Sequence, residues 1–292
     1  FANFTFTSDK DNSTFQCSLD SSSWSNCTSP KSYSNLSEGI HGFQVKAISE
    51  TNLSGPIAYY NWTIDITDPI TTISSGPSNP TNSQSATFQF SSNEQSSTFE
   101  CRMDSGSWSN CTSPESYSSL SEGNHTFQVK ATDETGNTGN PKYYNWTIDI
   151  TDPITNISSG PSSLTNSQSA TFTFTSNEDD STFQCRMDSG SWSSCSSPKS
   201  YSSLSEGNHT FYARSIDQAG NTGNSSSHTW TIDITAPTSS ISLGPSSLTN
   251  NQSATFQFSS NEDNSTFQCK IDTGDWSNCT SPMVYANISE GD

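Results

Sequence analysis

Short runs of alternating apolar and polar residues punctuate the chain. Thr87-Phe88-Gln89-Phe90 puts its two phenylalanines on one side. Phe127-Gln128-Val129-Lys130-Ala131 and Trp146-Thr147-Ile148 follow the same rule. A period of two over runs this short predicts half-buried strands of antiparallel sheet. Turn-forming groups separate the runs: Ser75-Gly76-Pro77, Asp104-Ser105-Gly106, Glu122-Gly123-Asn124 and Gly136-Asn137-Thr138-Gly139. No stretch holds a helical period for more than a turn. Seven or so short strands, one every 8–12 residues, predict an all-β chain of sandwiches.

The pattern repeats with a fixed step. Cys17, Cys101, Cys185 and Cys269 are 84 residues apart, and so are Cys27, Cys111, Cys195 and Cys279. Trp24, Trp108, Trp192 and Trp276 keep the step, as do Trp62, Trp146 and Trp230. A period of this kind marks a tandem array. The expected units are 1–67, 68–151, 152–235 and 236–292, the first and last incomplete. Phe1 aligns with Ser85 and Asp292 with Asn208, and no initiator Met is present, so the expectation is a segment of a longer array.

Composition alone argues against folding. Leu, Ile, Val and Phe make up 44 of 292 residues, and the net charge is −19. Few aliphatics with high charge usually mean disorder. The 32 aromatic residues change that picture, because each buried ring removes about 150–250 Å² of surface. Charge also narrows function. Ten Lys and Arg in 292 residues cannot build the cationic surface that nucleic acid requires. No apolar run reaches the ~18–20 residues that span a bilayer, so no membrane insertion is expected within this segment.

Each unit holds two cysteines flanking one turn, as in Cys101…Ser105-Gly106-Ser107…Cys111. Cysteines on either side of a hairpin face each other, so local disulfides are expected: Cys17–Cys27, Cys101–Cys111, Cys185–Cys195 and Cys269–Cys279. Zinc would need four ligands, and each unit offers two Cys with His far away in sequence. Regular pairing places the chain in an oxidising compartment, extracellular or at the cell surface. One parity conflicts. Cys111 and Trp108 fall on opposite faces, which calls for a bulge or for Trp108 at the sandwich edge.

Several motifs occur in fixed order: Phe99-x-Cys101-x-Met103-Asp104, Trp108-x-x-Cys111-x-Ser113-Pro114, Leu120-x-Glu122-Gly123-x-His125-x-Phe127-x-Val129-x-Ala131-x-Asp133-x-x-Gly136-Asn137, and Trp146-Thr147-Ile148-Asp149. The chain resembles, over its whole length, the tandem bacterial-type immunoglobulin-like repeats of large prokaryotic surface proteins and adhesins, relatives of fibronectin type III. The resemblance implies seven-stranded immunoglobulin-like or fibronectin III-like sandwiches, secretion, and a spacer or adhesive role. It carries over no catalytic residue. Ile40 stands where Asn124 is expected and Ser49 where Asp133 is expected, which puts functions at those positions in doubt.

The chain has 26 Asn and 100 Ser plus Thr, so about nine Asn-x-Ser/Thr acceptors would arise by chance; sixteen are present. Glycan acceptors are expected among Asn26, Asn61, Asn110, Asn124, Asn145, Asn208, Asn264 and Asn278. Strand parity supports Asn145, whose neighbour Trp146 faces inward, and turns expose Asn124 and Asn208. Carboxylates gather where units meet, at Asp65-Ile66-Thr67-Asp68-Pro69 and Asp149-Ile150-Thr151-Asp152-Pro153, with Asp133, Glu134 and Asn137 in a loop nearby. Calcium takes six to eight oxygens and could stiffen such junctions. The drift of Asp133 to Ser49, and of Asp152 to Ala236, favours a solvated acidic surface instead. His41, His125 and His209 recur before a strand, where a structural role outweighs a charge switch. Ser is too common to argue a triad, and no phosphate-binding loop exists, so no enzyme is expected.

The function expected from these features is structural: a segment of a glycosylated, disulfide-reinforced surface fibre or stalk of end-to-end domains. Short Pro-containing junctions predict stiff connections between neighbouring copies of the repeat. Other chains of a fibre and covalent glycans are the remaining expected partners. The alternative is an adhesin that binds a carbohydrate or protein receptor through loops or exposed sheet faces.

Overall fold

The structure is a computed structural model that describes residues 1–289; the last three residues of the expected 236–292 segment lie outside it. Every regular element among the described residues is a strand. Two compact units divide the chain, Phe1–Asp152 with Asp217–Thr222, and Pro153–Ile216 with Gly223–Asp292.

The first unit contains a complete seven-stranded sandwich. One sheet runs in the order Ser109–Cys111, Thr98–Met103, Gly123–Thr132, Lys142–Ile148. The other runs Glu115–Tyr117, Ala86–Ser92, Thr71–Ser75. These alternating runs are the ones read as strands, and the pleat sends every second side chain inward. Phe88, Phe90, Cys101, Phe127, Val129, Trp146 and Ile148 form the core. Phe88 stacks on Phe127 with centroids 4.0 Å apart, and Trp146 tilts against Phe88 at 5.2 Å. Aromatic rings therefore supply the burial that the sparse aliphatics cannot.

The same unit begins with Ser25–Cys27, Thr14–Leu19, Gly39–Ile48 and Ala58–Ile64 in one sheet, with Ala2–Phe4 pairing Lys31–Tyr33.

The second unit contains a further sandwich. Its larger sheet runs Leu164–Thr165, Ser226–Ile232, Gly207–Ile216, Thr182–Met187, Ser193–Cys195, and its smaller one Thr155–Ser159, Ala170–Ser176, Lys199–Tyr201. Phe172 stacks on Phe211 at 4.1 Å beside Trp230. The unit ends with Ser239–Leu243, Ser253–Ser260 and Met283–Ala286 in one sheet and the hairpin Phe267–Cys269/Ser277–Cys279.

A difference between the two sandwiches shows how tightly these cores are specified. Thr155 Oγ1 and Ser215 Oγ share a buried hydrogen bond of 2.8 Å in the second unit. In the first, Thr71 occupies the position of Thr155 and Ala131 that of Ser215. Thr71 Oγ1 is left buried without a partner.

Candidate functional site

Three arrangements stand out: a stitched junction, a buried histidine clasp and a cationic–aromatic stack.

Within the first unit, the loop Asp133-Glu134-Thr135-Gly136-Asn137 is wound around one carboxylate. Asp133 Oδ1 accepts from Thr135 N at 2.8 Å, Gly136 N at 2.7 Å and Asn137 N at 2.8 Å, and also from the Thr135 hydroxyl. Asp133 Oδ2 accepts from Asn137 Nδ2 at 2.8 Å. Burial works against ionisation of Asp133, but the bonds from Asn137, Thr135 and Gly136 outweigh it and hold its carboxyl below the ordinary value. Asn137 Nδ2 also reaches across the junction to Asp65 O, at 3.1 Å. Asn221 repeats the contact, donating to Asp149 O at 2.8 Å. Gly139 completes the fit: a Cβ there would lie 1.9 Å from Pro69 O. Only a glycine lets the chain after Asp68 pass so close.

Asp65, Glu94 and Asp133 bring carboxylate oxygens within 4.8 Å of one another. Burial first, and then Asp65, Asp133, Glu38 and Asp68, push the Glu94 carboxyl above its ordinary range. The oxygens of Asp133 are committed to its own loop, so this group works as a backbone organiser. The drift to Ser49 fits that role: Ser49 N still donates to Leu53 O at 3.0 Å, as Asp133 N does to Asn137 O. Sequence reasoning placed Asn137 near this cluster but missed its bond to Asp65 O.

The three recurrent histidines are almost fully buried. His125 donates from Nδ1 to Asp104 Oδ2 at 2.9 Å and from Nε2 to Ser121 O at 2.8 Å. His41 uses Asp20 and Ser37, and His209 uses Asp188 and Ser205, in the same way. Both partners are acceptors, so the arrangement is fully satisfied by the protonated ring, which donates from both nitrogens. Asp104 sits in the left-handed region with φ 52°, which Asp tolerates better than most residues. Its Oδ1 also takes Thr126 N at 2.8 Å, pinning the turn to the neighbouring strand. The bond to Ser37 O, then that to Asp20, raises the His41 pKa against burial. Burial is the largest influence on His125 and opposes its charge, yet the bonds to Ser121 O and Asp104 prevail and its pKa is raised. His209 is raised by Ser205 O and then Asp188. The Gly42 N–H, followed by His41, lowers the Asp20 carboxyl.

The residue after each clasped serine carries the contact onward. Glu122 Oε1 accepts from Thr151 Oγ1 at 2.7 Å, Glu38 from Thr67 at 2.6 Å, and Glu206 from Thr235 at 2.7 Å. Each threonine belongs to an Asp-Ile-Thr segment that follows a domain's last strand. The histidine clasp thus holds the turn whose glutamate anchors that segment.

The third arrangement settles the parity conflict. Ser109 pairs with Cys101 and Cys111 with Phe99 in unbroken register, so no bulge is needed. Trp108 lies on the outer face, under Arg102 at 4.7 Å and Lys130 at 4.8 Å. Lys46 covers Trp24, Arg186 and Arg214 cover Trp192, and Lys270 covers Trp276. Six of the chain's ten basic residues therefore serve these four indoles. Cation–π contact and shielding of the sheet face explain that concentration in an acidic chain.

The cysteines pair Cys17–Cys27, Cys101–Cys111, Cys185–Cys195 and Cys269–Cys279, each with Cα atoms 5.8 Å apart. Asn26, Asn61, Asn110, Asn124, Asn145, Asn208, Asn264 and Asn278 are all exposed. No helix among the described residues is long and apolar enough to cross a membrane.

Residues 110–183 and 199–268 match the family model of the bacterial Ig-like domain (group 3). A search of curated proteins finds no match. Among solved structures, the chain is similar to the fibronectin(III)-like modules of Clostridium thermocellum CbhA at 16% identity, covering 56% of this chain and 94% of that one, with a TM-score of 0.37. It is similar to a tetra-tandem repeat in the extending region of a large adhesion protein at 18% identity, covering 97% and 85%, with a TM-score of 0.32. A 1.5-MDa bacterial ice-binding adhesin shows 14% identity over 76% and 87%, with a TM-score of 0.38.

Proposed function

The chain carries tandem bacterial Ig-like domains, and on that premise we propose that it is a structural length of an extracellular fibre or stalk. The observation that carries this reading is the bond from Asn137 to Asp65 O, with Gly139 against Pro69. A junction stitched by a side-chain-to-backbone bond beside a close backbone approach resists bending, which is what a spacer requires. Four disulfides suit an oxidising, extracellular setting. Covalent sugars on exposed asparagines, and neighbouring copies or other chains, are the partners in this reading, and no catalytic step belongs to it. Electron microscopy of the native material tests it. Uniform filaments are the expected result, and dispersed compact particles would overturn it.

An adhesive role is the second reading, favoured by aromatic side chains on strands flanking the sheet. Tyr59, Tyr60 and Tyr143 are 75%, 62% and 59% exposed. A stalk with a distinct head in the same micrographs, or binding of the chain to immobilised glycans that Tyr143→Ala abolishes, would support it.

A further inference from the structure

Asparagine does two separate jobs in this chain. Among the described residues, side-chain amide hydrogen bonds donated by asparagine come from Asn137 and Asn221. Both precede Thr-Gly, so neither is an Asn-x-Ser/Thr acceptor. Asn93, Asn177 and Asn261, which cap backbone amides through Oδ1, are not acceptors either. The sixteen asparagines in acceptor sequences are all exposed, and none spends its Nδ2 in those bonds.

Three of these acceptors fall on one sheet face. On a strand, Asn-x-Thr sends Asn and Thr to one face and the middle residue to the other. Here the middle residues of Asn124-His125-Thr126, Asn145-Trp146-Thr147 and Asn110-Cys111-Thr112 point to the core. The asparagines therefore share the outer face of the four-stranded sheet. Asn124 lies opposite Thr147 and Thr126 opposite Asn145. Thr147 Oγ1 donates to Asn124 Oδ1 at 2.8 Å, and Thr126 Oγ1 to Asn145 Oδ1 at 2.8 Å. Each hydroxyl thus holds the other acceptor's carbonyl oxygen and leaves both Nδ2 groups to solvent. Thr231 holds Asn208 in the same way at 2.7 Å. Asn26, Asn61 and Asn278 occupy the corresponding strands elsewhere in the chain.

We propose that the outer face of this sheet, and the equivalent strand positions in each other repeat, are the chain's N-glycosylated sites, bearing oligosaccharides at Asn110, Asn124 and Asn145 and at Asn26, Asn61, Asn208 and Asn278. The proposal rests on the reading of the chain as a glycoprotein and adds where its sugars go. The donor is an oligosaccharide carried on a polyisoprenoid phosphate or diphosphate. The bond from the sugar's anomeric carbon to the phosphate oxygen breaks, and its electron pair leaves with the phosphate. The anomeric carbon bonds to Nδ2, which gives up one proton. Nδ2 keeps its other hydrogen and Oδ1 keeps its threonine, so the crossed bonds survive the transfer.

Glycopeptide mass spectrometry tests this on chain secreted by a host that glycosylates Asn-x-Ser/Thr, with a co-expressed reporter glycoprotein as control. Glycans are expected on Asn110 and Asn208 and on at least one of Asn124 and Asn145. The substitution Thr147→Ala should abolish any modification of Asn145 and leave Asn124 a substrate, whereas Thr147→Ser should keep the wild-type pattern. A bare sheet face with glycans confined to loop acceptors such as Asn12, Asn52 and Asn224 would overturn the assignment while leaving a glycoprotein. A chain without glycans beside a modified reporter would overturn both.

Discussion

His125 and Asp104 form a half-buried pair at the edge of the sandwich, with the imidazole side chain 6% exposed and the carboxylate 42% exposed. Asp104 is the charged group that acts on His125, and Trp146 covers the ring at a centroid distance of 5.4 Å. The pair recurs as His41–Asp20 and His209–Asp188. Raised histidine pKa values fix the sign of the pH dependence. The stabilisation is complete below the unfolded value of 6.5 and is lost as pH rises through the higher folded value. Asp20, lowered from 3.8, adds stability that is lost only as pH falls through its still lower folded value. Thermal unfolding followed by circular dichroism should show the midpoint falling as pH rises from below 6.5 through the higher folded value. His125→Gln should lower the midpoint at the acid end and flatten its pH dependence. A wild-type midpoint constant over that range would show that the rings are neutral.

Thr71 and Ala131 predict a stabilising substitution. Ala131→Ser recreates the Thr155–Ser215 hydrogen bond in a site where the second unit accommodates the extra oxygen. Satisfying a buried hydroxyl should add about 0.5–1.5 kcal/mol, and Ser215→Ala should cost about 1–3 kcal/mol by orphaning Thr155. Denaturant midpoints of the two variants should move in opposite directions. Equal shifts of the same sign would mean that water already serves Thr71.

The contrast between these two cases marks what a sequence makes legible. The strands were readable because Phe88, Phe127 and Trp146 each sit in a period-two run, and parity alone decides their faces. The cysteine pairs were readable because both partners flank a single turn. The histidine clasp was not, because Asp104 and His125 lie 21 residues apart and meet only after a left-handed turn brings the strands into register. The role of Trp108 was equally hidden: its position reads as an aromatic, and the cations above it come from two other strands. Asn137 read only as part of a solvated acidic loop because its acceptor is a backbone carbonyl, which has no sequence signature.

The disulfides make a direct prediction about local stability. Replacing Cys101 and Cys111 together by alanine releases a short loop, and the chain-entropy model gives about 2–3 kcal/mol for its closure. Non-reducing peptide mapping should link only the four intra-hairpin pairs. Peptides joining cysteines 84 residues apart would show exchange between repeats and would remove the basis for this estimate.

The junction separates two causes of stiffness. Asn137→Ala deletes the bond to Asp65 O and both of its bonds within the loop. Asp133 keeps its backbone donors, so the loop should persist at a cost of roughly 1–2 kcal/mol. Gly139→Ala acts differently. Its Cβ would meet Pro69 O at 1.9 Å, and backbone cannot give way as a side chain does. Overpacking of this kind costs typically about 1–3 kcal/mol, and here it must push the linker outward. Limited proteolysis reads the difference, because the Asp65–Pro69 segment is cleaved only when it lifts from the loop. Gly139→Ala should be nicked fastest there, Asn137→Ala more slowly and the wild type slowest. Asn137→Asp keeps the side chain's shape but replaces the donating amide with a second carboxylate beside Asp133. It should therefore open the junction further than Asn137→Ala does. If all three variants were cut at the wild-type rate, the linker would be held by its own proline and strand contacts, and the stitched loop would be irrelevant to stiffness.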